Sequence, residues 1–155
     1  MKLLIPSAKE LIEQARMVES QPLSHKTKTI LQALKQFSLE ELASFYGISE
    51  ERALVEKERI EALLAGSAKT YPALELFDGL MYRSIERQDL SEKEQAYLQE
   101  HLLITTALYG AIPAYEGIAP HRLDFMMKLK PAGKSLKALW QEDYDQAVEG
   151  EEQIL

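Results

Sequence analysis

The stretch HLLITTALYGAIPAYEGIAPHRLDFMMKL, from His101 to Leu129, decides the fold of this chain. It opens with an apolar run over residues 102–108 that is typical of a buried strand, and Tyr109-Gly110 ends that run. A crossing punctuated by proline and glycine follows over residues 113–120. Apolar and polar residues then alternate between Leu123 and Leu129, interrupted only by Met126, which predicts a second, half-buried strand.

The rest of the chain predicts helices around these strands. An apolar run at residues 3–5, stopped by Pro6, predicts another strand. Serine is the preferred residue at a helix start, where its hydroxyl accepts a backbone N–H. Six serines precede apolar residues at helical spacing: Ser7 (with Leu11, Ile12, Ala15 and Val18), Ser24, Ser38, Ser49, Ser91 and Ser135. The pattern predicts an α+β fold: a mixed β-sheet with flanking helices and a helical insertion near the amino terminus.

Length, charge and composition indicate one domain over residues 1–155, with a net charge of −7 and no cysteine. Six of the 25 acidic residues fall within residues 141–155, so an acidic tail leaves 19 acidic against 18 basic side chains before it. Without cysteine, disulfides and thiolate metal sites are excluded. No apolar segment approaches the roughly 20 residues of a membrane helix, so we predict a cytoplasmic protein without a membrane partner.

Residues 38–65 resemble a helix-hairpin-helix, in which a glycine turn and a helix start offer N–H groups to a DNA phosphate. Gly47, Ile48, Ser49 and Arg52 are the candidate DNA-binding residues here. The same segment carries seven acidic and three basic residues, which oppose phosphate binding. An ordinary helical hairpin is therefore the alternative interpretation.

Polar residues at the breaks of the apolar runs are the candidates for chemistry. A cleft is predicted from Lys9, Asp78, Tyr109, Gly110, His121 and Arg122. Further basic residues follow in the chain: Lys128, Lys130, Lys134 and Lys137. Such a cluster either binds phosphates or other anions, or is a solvated edge that resists aggregation. The histidines lack metal-ligand spacing and no catalytic motif is present, so no metal, no cofactor and no catalytic residue is predicted.

Several blocks of this sequence resemble the peroxide-stress protein YaaA family. They are LIPSAK at Leu4–Lys9, FDGLMY at Phe77–Tyr82, the run from His101 to Gly110, PHRL at Pro120–Leu123, and the helix ending at Trp140. The resemblance implies a cytoplasmic bacterial protein of the hydrogen peroxide response that limits iron-driven oxidative damage. It also implies DNA binding through a helix-hairpin-helix and a basic cleft, with Lys9 and Arg122 lining the cleft and Gly47 in the hairpin.

The chain also departs from the family pattern. Pro6 and Ser7 are exchanged relative to the usual order, and His121 stands where a tyrosine is usual. Family members continue beyond the end of this chain, so residues 1–155 are expected to be an incomplete amino-terminal portion of a larger domain. For this portion we predict weak DNA binding through Arg122, Lys128, Lys130 and Lys134 as well as the hairpin.

Two alternatives stay open at this point. One is an enzyme, the less favoured option, or a small-anion binder that uses a cleft of Lys9, Asp78, Tyr109 and Arg122. The other is a fragment without activity. The sequence does not define the oligomeric state.

Overall fold

Two small sheets and the helices around them make up the fold in the computed structural model, which describes residues 1–13 and 16–155. The elements in chain order are β1 Leu3–Pro6, α1 His25–Lys35, α2 Leu39–Tyr46, α3 Glu50–Ala65, β2 Tyr71–Pro72, α4 Ala73–Leu76, α5 Leu80–Arg83, α6 Glu92–His101, β3 Leu102–Thr106, β4 Gly110–Pro113, β5 Gly117–Ile118, a 3-10 turn at Pro131–Gly133, and α7 Leu136–Ala147. The predicted α+β class with a mixed sheet is confirmed.

The main sheet has the order β1-β3-β4, with β1 parallel to β3 and β3 antiparallel to β4. The apolar run that begins at Leu102 forms β3, the central strand of this sheet, and a strand is predicted there. Thr106 closes the turn into β4, because its hydroxyl accepts the Tyr109 N–H at 2.8 Å and donates to the Gly110 carbonyl at 3.0 Å. Since β1 and β3 are parallel, their carboxyl ends lie at the same edge of the sheet.

Two hydrophobic clusters fill the interior. The first joins α1, α2 and α3 to α7 and to the segment around Leu123 and Leu129. The second covers one face of the main sheet and contains Phe77, Tyr82 and Ile104. The opening stretch contributes to both clusters, which is why it organises the fold.

The predicted helix starts are confirmed at five of the six serines. Their hydroxyls each accept the backbone N–H three residues further on, at Ser24, Ser38, Ser49, Ser91 and Ser135. At Ser38 the Glu41 carboxylate also accepts the Ser38 N–H, which completes a capping box.

The prediction of a helix that begins at Ser7 is wrong. In the described part of residues 7–20 the backbone is not helical and bonds to other segments; Ala15 lies outside the described residues. Leu11 forms an antiparallel bridge with Phe77, and the Val18 N–H donates to the Thr70 carbonyl at 3.1 Å. The Glu10 carboxylate, three residues after Ser7, binds Arg83. Tertiary hydrogen bonds therefore override the local helical pattern.

The strand predicted over Leu123 to Leu129 is also wrong. This segment is an irregular loop whose apolar side chains enter the first cluster without strand neighbours. The Asp124 carboxylate accepts the Met126 N–H at 2.8 Å, and the Asp124 carbonyl accepts the Met127 N–H at 3.3 Å. Such side-chain bonds to the local backbone compete with a strand ladder.

The predicted acidic tail begins inside α7. After that helix, Ile154 lies beside Lys2 in a parallel bridge, and the Leu155 N–H donates to the Lys2 carbonyl at 2.9 Å. Over residues 1–13 and 16–155, no helix combines the length and apolarity that a membrane crossing requires.

Candidate phosphate-binding pocket and its surroundings

A pocket of about 220 Å³ lies at the edge of the main sheet where β1 and β3 end. We call it the edge pocket. Residues that follow β1, the end of β3, Phe77 and the loop after Pro120 line it: Pro6, Ser7, Ala8, Lys9, Phe77, Thr105, His121, Arg122, Leu123, Asp124, Phe125 and Met126. The carboxyl ends of parallel strands are a frequent ligand site because loops and their polar groups converge there.

The charges of the edge pocket are two cations and one carboxylate. Lys9 Nζ lies 3.6 Å from an Asp124 carboxylate oxygen, and the Lys9 side chain is 78% exposed whereas Asp124 is 19% exposed. Arg122 is half-buried and forms no ion pair or hydrogen bond within the part of the chain that the structure describes. The pocket therefore holds a net positive charge, with Arg122 as its uncommitted donor group.

His121 is a neutral group in this pocket. Its Nδ1 lies 2.9 Å from the Ala119 carbonyl, which only accepts, so Nδ1 carries the proton. The ring packs edge-on against Phe77 and Tyr109. Burial lowers the pKa of His121 to about 4, against the hydrogen bond to Ala119, and the charge of Arg59 lowers it further. His121 therefore adds no cation at neutral pH.

Tyr109 supports the pocket from behind His121. Its hydroxyl accepts the Ala119 N–H at 3.0 Å, so Tyr109 fixes the residue whose carbonyl orients His121. Burial raises the pKa of Tyr109 to about 12. Tyr109 is thus a neutral positioning group and is absent from the pocket lining.

Gly110 lies away from the pocket, against the indole of Trp140. Its φ is +77°, and a Cβ built there would come within 2.7 Å of two Trp140 ring carbons. The glycine is required by this close approach. The structure therefore gives Gly110 a packing role beside Trp140.

Asp78 belongs to a separate cluster of paired charges. Its carboxylate accepts from Arg83 and Arg87, each at 3.0 Å, and Glu10 also binds Arg83. Burial opposes ionisation, but the hydrogen bond and charge of Arg83 and the charge of Arg87 together lower the pKa of Asp78. The predicted four-residue cleft thus divides: Lys9 and Arg122 share the edge pocket, Tyr109 stands behind it, and Asp78 faces two arginines.

The hairpin formed by α2, the turn at residues 47–49 and α3 packs beside the edge pocket. Ile48 enters the same hydrophobic cluster as Phe125 and Met127. Gly47 adopts the left-handed conformation, with φ 67° and ψ 40°. The Gly47 and Ile48 N–H groups donate to carbonyls of α2, and the Ser49 hydroxyl accepts the Arg52 N–H. All of these hydrogen bonds lie within the hairpin. A contact between the hairpin and a DNA phosphate therefore stays a prediction.

A buried carboxylate connects the hairpin to the edge pocket. Glu56 of α3 is 6% exposed and binds Arg59 at 2.8 Å. Burial raises the pKa of Glu56, while the charges of Arg59 and Arg122 lower it. Arg122 therefore lies within electrostatic reach of the hairpin.

The lysines after the edge pocket remain at the surface. Lys128, Lys130, Lys134 and Lys137 are all exposed. Together with Arg122 they carry the positive charge of what we call the basic segment, residues 121–137, in which His121 is neutral. Its anchors are Leu129 and Pro131, which are buried. In residues 1–13 and 16–155, no group of three or more histidine or acidic side chains could hold a metal ion.

Sequence reasoning missed Ser7, Thr105, Asp124 and Met126 as pocket residues. The sequence predicts Ser7 as a helix cap, and it predicts Asp124 and Met126 as part of a strand. The signal for Asp124 is the pattern of an Asx turn. In such a turn an aspartate carboxylate accepts the backbone N–H two residues further along the chain. Nothing in the local sequence indicates Thr105, because only the parallel pairing of β1 and β3 brings it there.

Comparison with known proteins places the chain in a family. The family model for "Peroxide stress protein YaaA" matches residues 1–155. A protein of Streptococcus gordonii called "UPF0246 protein" is 56% identical over 155 residues, covering 100% of this chain and 64% of that protein. A protein of the same name from Streptococcus pneumoniae serotype 2 is 52% identical over 154 residues, covering 99% and 64%.

The chain belongs to the peroxide stress protein YaaA family, as the resemblance of its sequence blocks indicated. Membership associates it with peroxide stress. The chain spans 64% of the length of the curated relatives that it matches.

Proposed function

We propose that this protein binds DNA by its phosphates, through the edge pocket and the basic segment, as part of a cytoplasmic response to peroxide. The observation that carries the proposal is Arg122, a half-buried guanidinium without an ion-pair partner in the described residues, beside Lys9 in a pocket. A guanidinium with free donors suits the geometry of phosphate oxygens.

The size of the edge pocket favours one phosphate group over a whole nucleotide. Its volume is about 220 Å³, whereas pockets for drug-sized ligands run from about 300 to 1,000 Å³. Asp124 neutralises part of the Lys9 charge at 3.6 Å, so the pocket has about one positive charge to offer. A phosphodiester carries one negative charge, which matches it.

The exposed lysines extend this positive surface along the chain. Lys128, Lys130 and Lys134 follow Arg122 on the same loop and can each neutralise a further phosphate. Phosphate contacts release counterions, so the resulting affinity falls as salt rises. Because the whole chain carries a net charge of −7, we expect weak binding that is measurable at low ionic strength.

Phosphate binding also supplies a physical route to protection against iron. Ferrous ions in the counterion atmosphere of DNA reduce hydrogen peroxide to hydroxide and a hydroxyl radical while they are oxidised to ferric ions. A protein that neutralises phosphates displaces such counterions from the bound sites. Protection in this scheme requires no iron site in the protein.

Fluorescence anisotropy with a labelled duplex at several salt concentrations tests the proposal. We expect Arg122→Gln to weaken binding and to reduce the slope of log affinity against log salt by about 1. The double variant K128E/K134E should reduce the slope further. Lys93→Glu on α6 is the matched control, because Lys93 is an exposed lysine away from the basic segment. Equal slopes for all four proteins would overturn the proposal.

A small anion is the second candidate ligand, and the enclosure of the edge pocket favours it. Lys9, Arg122 and Ser7 line this pocket of about 220 Å³, which has room for a tetrahedral anion. Calorimetric titration with inorganic phosphate distinguishes the two functions. Binding of phosphate that Arg122→Gln abolishes, together with no affinity for duplex DNA, would establish the small-anion site.

A further inference from the structure

An exposed apolar side chain stands at the rim of the edge pocket. Met126 is 86% exposed, whereas its neighbours Phe125 and Met127 pack into the first hydrophobic cluster. Phe125 also packs edge-on against Tyr144, with ring centroids 6.1 Å apart. The two neighbours anchor the loop, and Met126 alone points outward.

The conformation of this loop tip is fixed by Asp124. The Asp124 carboxylate accepts the Met126 N–H at 2.8 Å, and its carbonyl accepts the Met127 N–H at 3.3 Å. The same carboxylate lies 3.6 Å from Lys9 Nζ. Met126 is therefore presented by a preorganised turn that is tied to a cation of the edge pocket. Preorganisation lowers the entropy that a ligand contact costs.

The surroundings of Met126 indicate what it contacts. It lines the edge pocket together with Arg122 and Lys9, and Lys128 and Lys130 follow it on the chain. An apolar tip between cations complements a ligand that has an apolar surface between anions. Nucleic acid has that alternation, since each base is carried by a sugar that is flanked by two backbone phosphates.

We propose that Met126 is an apolar contact to a nucleobase, inserted at a base step while the flanking phosphates occupy Arg122 and the lysines. This inference rests on the proposed DNA binding and adds a mode of recognition to it. Methionine is among the apolar residues that insert between base steps and partly unstack them. The protein then favours DNA whose bases unstack readily, such as pyrimidine–purine steps or single strands.

A duplex that contains 2-aminopurine at a TA step tests the inference, because this base becomes brighter when it is unstacked. We expect the wild-type chain at low salt to raise the fluorescence, and Met126→Ala to remove that rise and weaken binding about fivefold to tenfold. Met126→Lys adds a cation, so it should restore affinity without restoring the fluorescence. Met17→Ala is the matched control, because Met17 is a methionine that is 58% exposed away from the edge pocket.

The outcomes separate the inference from the proposed function. If Met126→Ala binds and unstacks DNA as the wild type does, while Arg122→Gln reduces the salt slope, the base contact is wrong and phosphate binding stands. If no protein in the series binds duplex or single-stranded DNA at low salt, both are wrong. Loss of fluorescence change in Met126→Ala and Met126→Lys, but not in Met17→Ala, supports the base contact.

Discussion

Two charged clusters lie on either side of Phe77 and differ in how far their charges are satisfied. In the cluster around Asp78, Arg87 is 12% exposed and donates to the carboxylate of Asp78 and to the Leu74 and Phe77 carbonyls. In the edge pocket, Arg122 has no such partner in the described residues, and Lys9 has one long contact to Asp124.

This difference separates a structural role from a binding role. A buried charge is tolerated when hydrogen bonds and an opposite charge compensate its lost hydration. Arg87 meets that condition with protein groups, so it fixes α4 and the Phe77 carbonyl in place. Arg122 is half-buried and has no hydrogen bond or ion pair among the described residues, so its donors remain available to an anion; the Glu56 charge reaches Arg122 without a contact.

The largest effect that tests this contrast is on stability. We expect Arg87→Ala to lower the free energy of unfolding by about 4 kcal/mol, because the change removes three hydrogen bonds of a buried charge. The Leu74 and Phe77 carbonyls lose their charged donor, and Asp78 keeps Arg83 alone. Urea denaturation followed by circular dichroism measures it. The phosphate affinity of the folded fraction should not change. A loss below about 1 kcal/mol would mean that the Asp78 cluster is not structural.

The second effect is a loss of stability in acid that His121 causes. The pKa of His121 is lowered from 6.5 to about 4 in the folded protein, so between these values the unfolded chain binds more protons. Stability is therefore fully present above pH 6.5 and falls as the pH drops towards 4, by about 3 kcal/mol at most.

His121→Gln should flatten that part of the stability profile, because glutamine cannot gain the proton. The control is His25→Gln, which removes an exposed histidine. Urea denaturation at several pH values between 7 and 4 compares the three proteins. If the wild type and His121→Gln lose stability in parallel, His121 is not the group responsible.

The third effect concerns Gly110, which the sequence placed in the cleft and the structure places against Trp140. Gly110→Ala should destabilise the fold by about 2 kcal/mol, because its φ of +77° disfavours a side chain and the Cβ meets the indole at 2.7 Å. Thermal unfolding measures the loss. Trp140 fluorescence should shift as well, since the Trp140 indole N–H donates to the Ala107 carbonyl. If Gly110→Ala leaves stability unchanged but alters anion binding, Gly110 acts in the pocket and not in packing against Trp140.

The sequence predicts the parts of this fold that depend on local chemistry. Serine caps determine five helix starts, and the apolar run of the opening stretch forms the central strand β3. The same reasoning fails where distant segments supply the hydrogen bonds. Leu11 follows a helical pattern, yet it bridges Phe77. Leu123 and Leu129 alternate with polar residues as in a strand, yet they fill a core between helices.

The candidate site is predictable to the same extent. Lys9 follows β1 and Arg122 lies in the loop after β5, and both line the pocket at the edge where the parallel strands β1 and β3 end. The sequence predicts both as cleft residues, but it does not predict the parallel pairing that forms this edge. The sequence groups Asp78 with them because Asp78 also lies at a break in an apolar run. Its pairing with Arg83 and Arg87 depends on α5 and on the turn after it, whose course the sequence does not define.

The smallest expected effect on stability is that of Lys9→Gln, and it gives the sharpest test of the contrast between the edge pocket and the Asp78 cluster. Lys9 is 78% exposed and its contact to Asp124 is 3.6 Å long, so Lys9→Gln should change the free energy of unfolding by less than about 0.5 kcal/mol. The same change removes one of the two cations of the edge pocket, so the salt slope of DNA binding should fall by about 1. Anisotropy titrations and urea denaturation of the same preparation give both quantities.

Arg87→Ala should show the reverse pattern, with a large loss of stability and an unchanged salt slope. If Lys9→Gln instead destabilises the protein and leaves the slope unchanged, the Lys9–Asp124 pair is a structural contact like those around Asp78, and Arg122 alone carries the anion site.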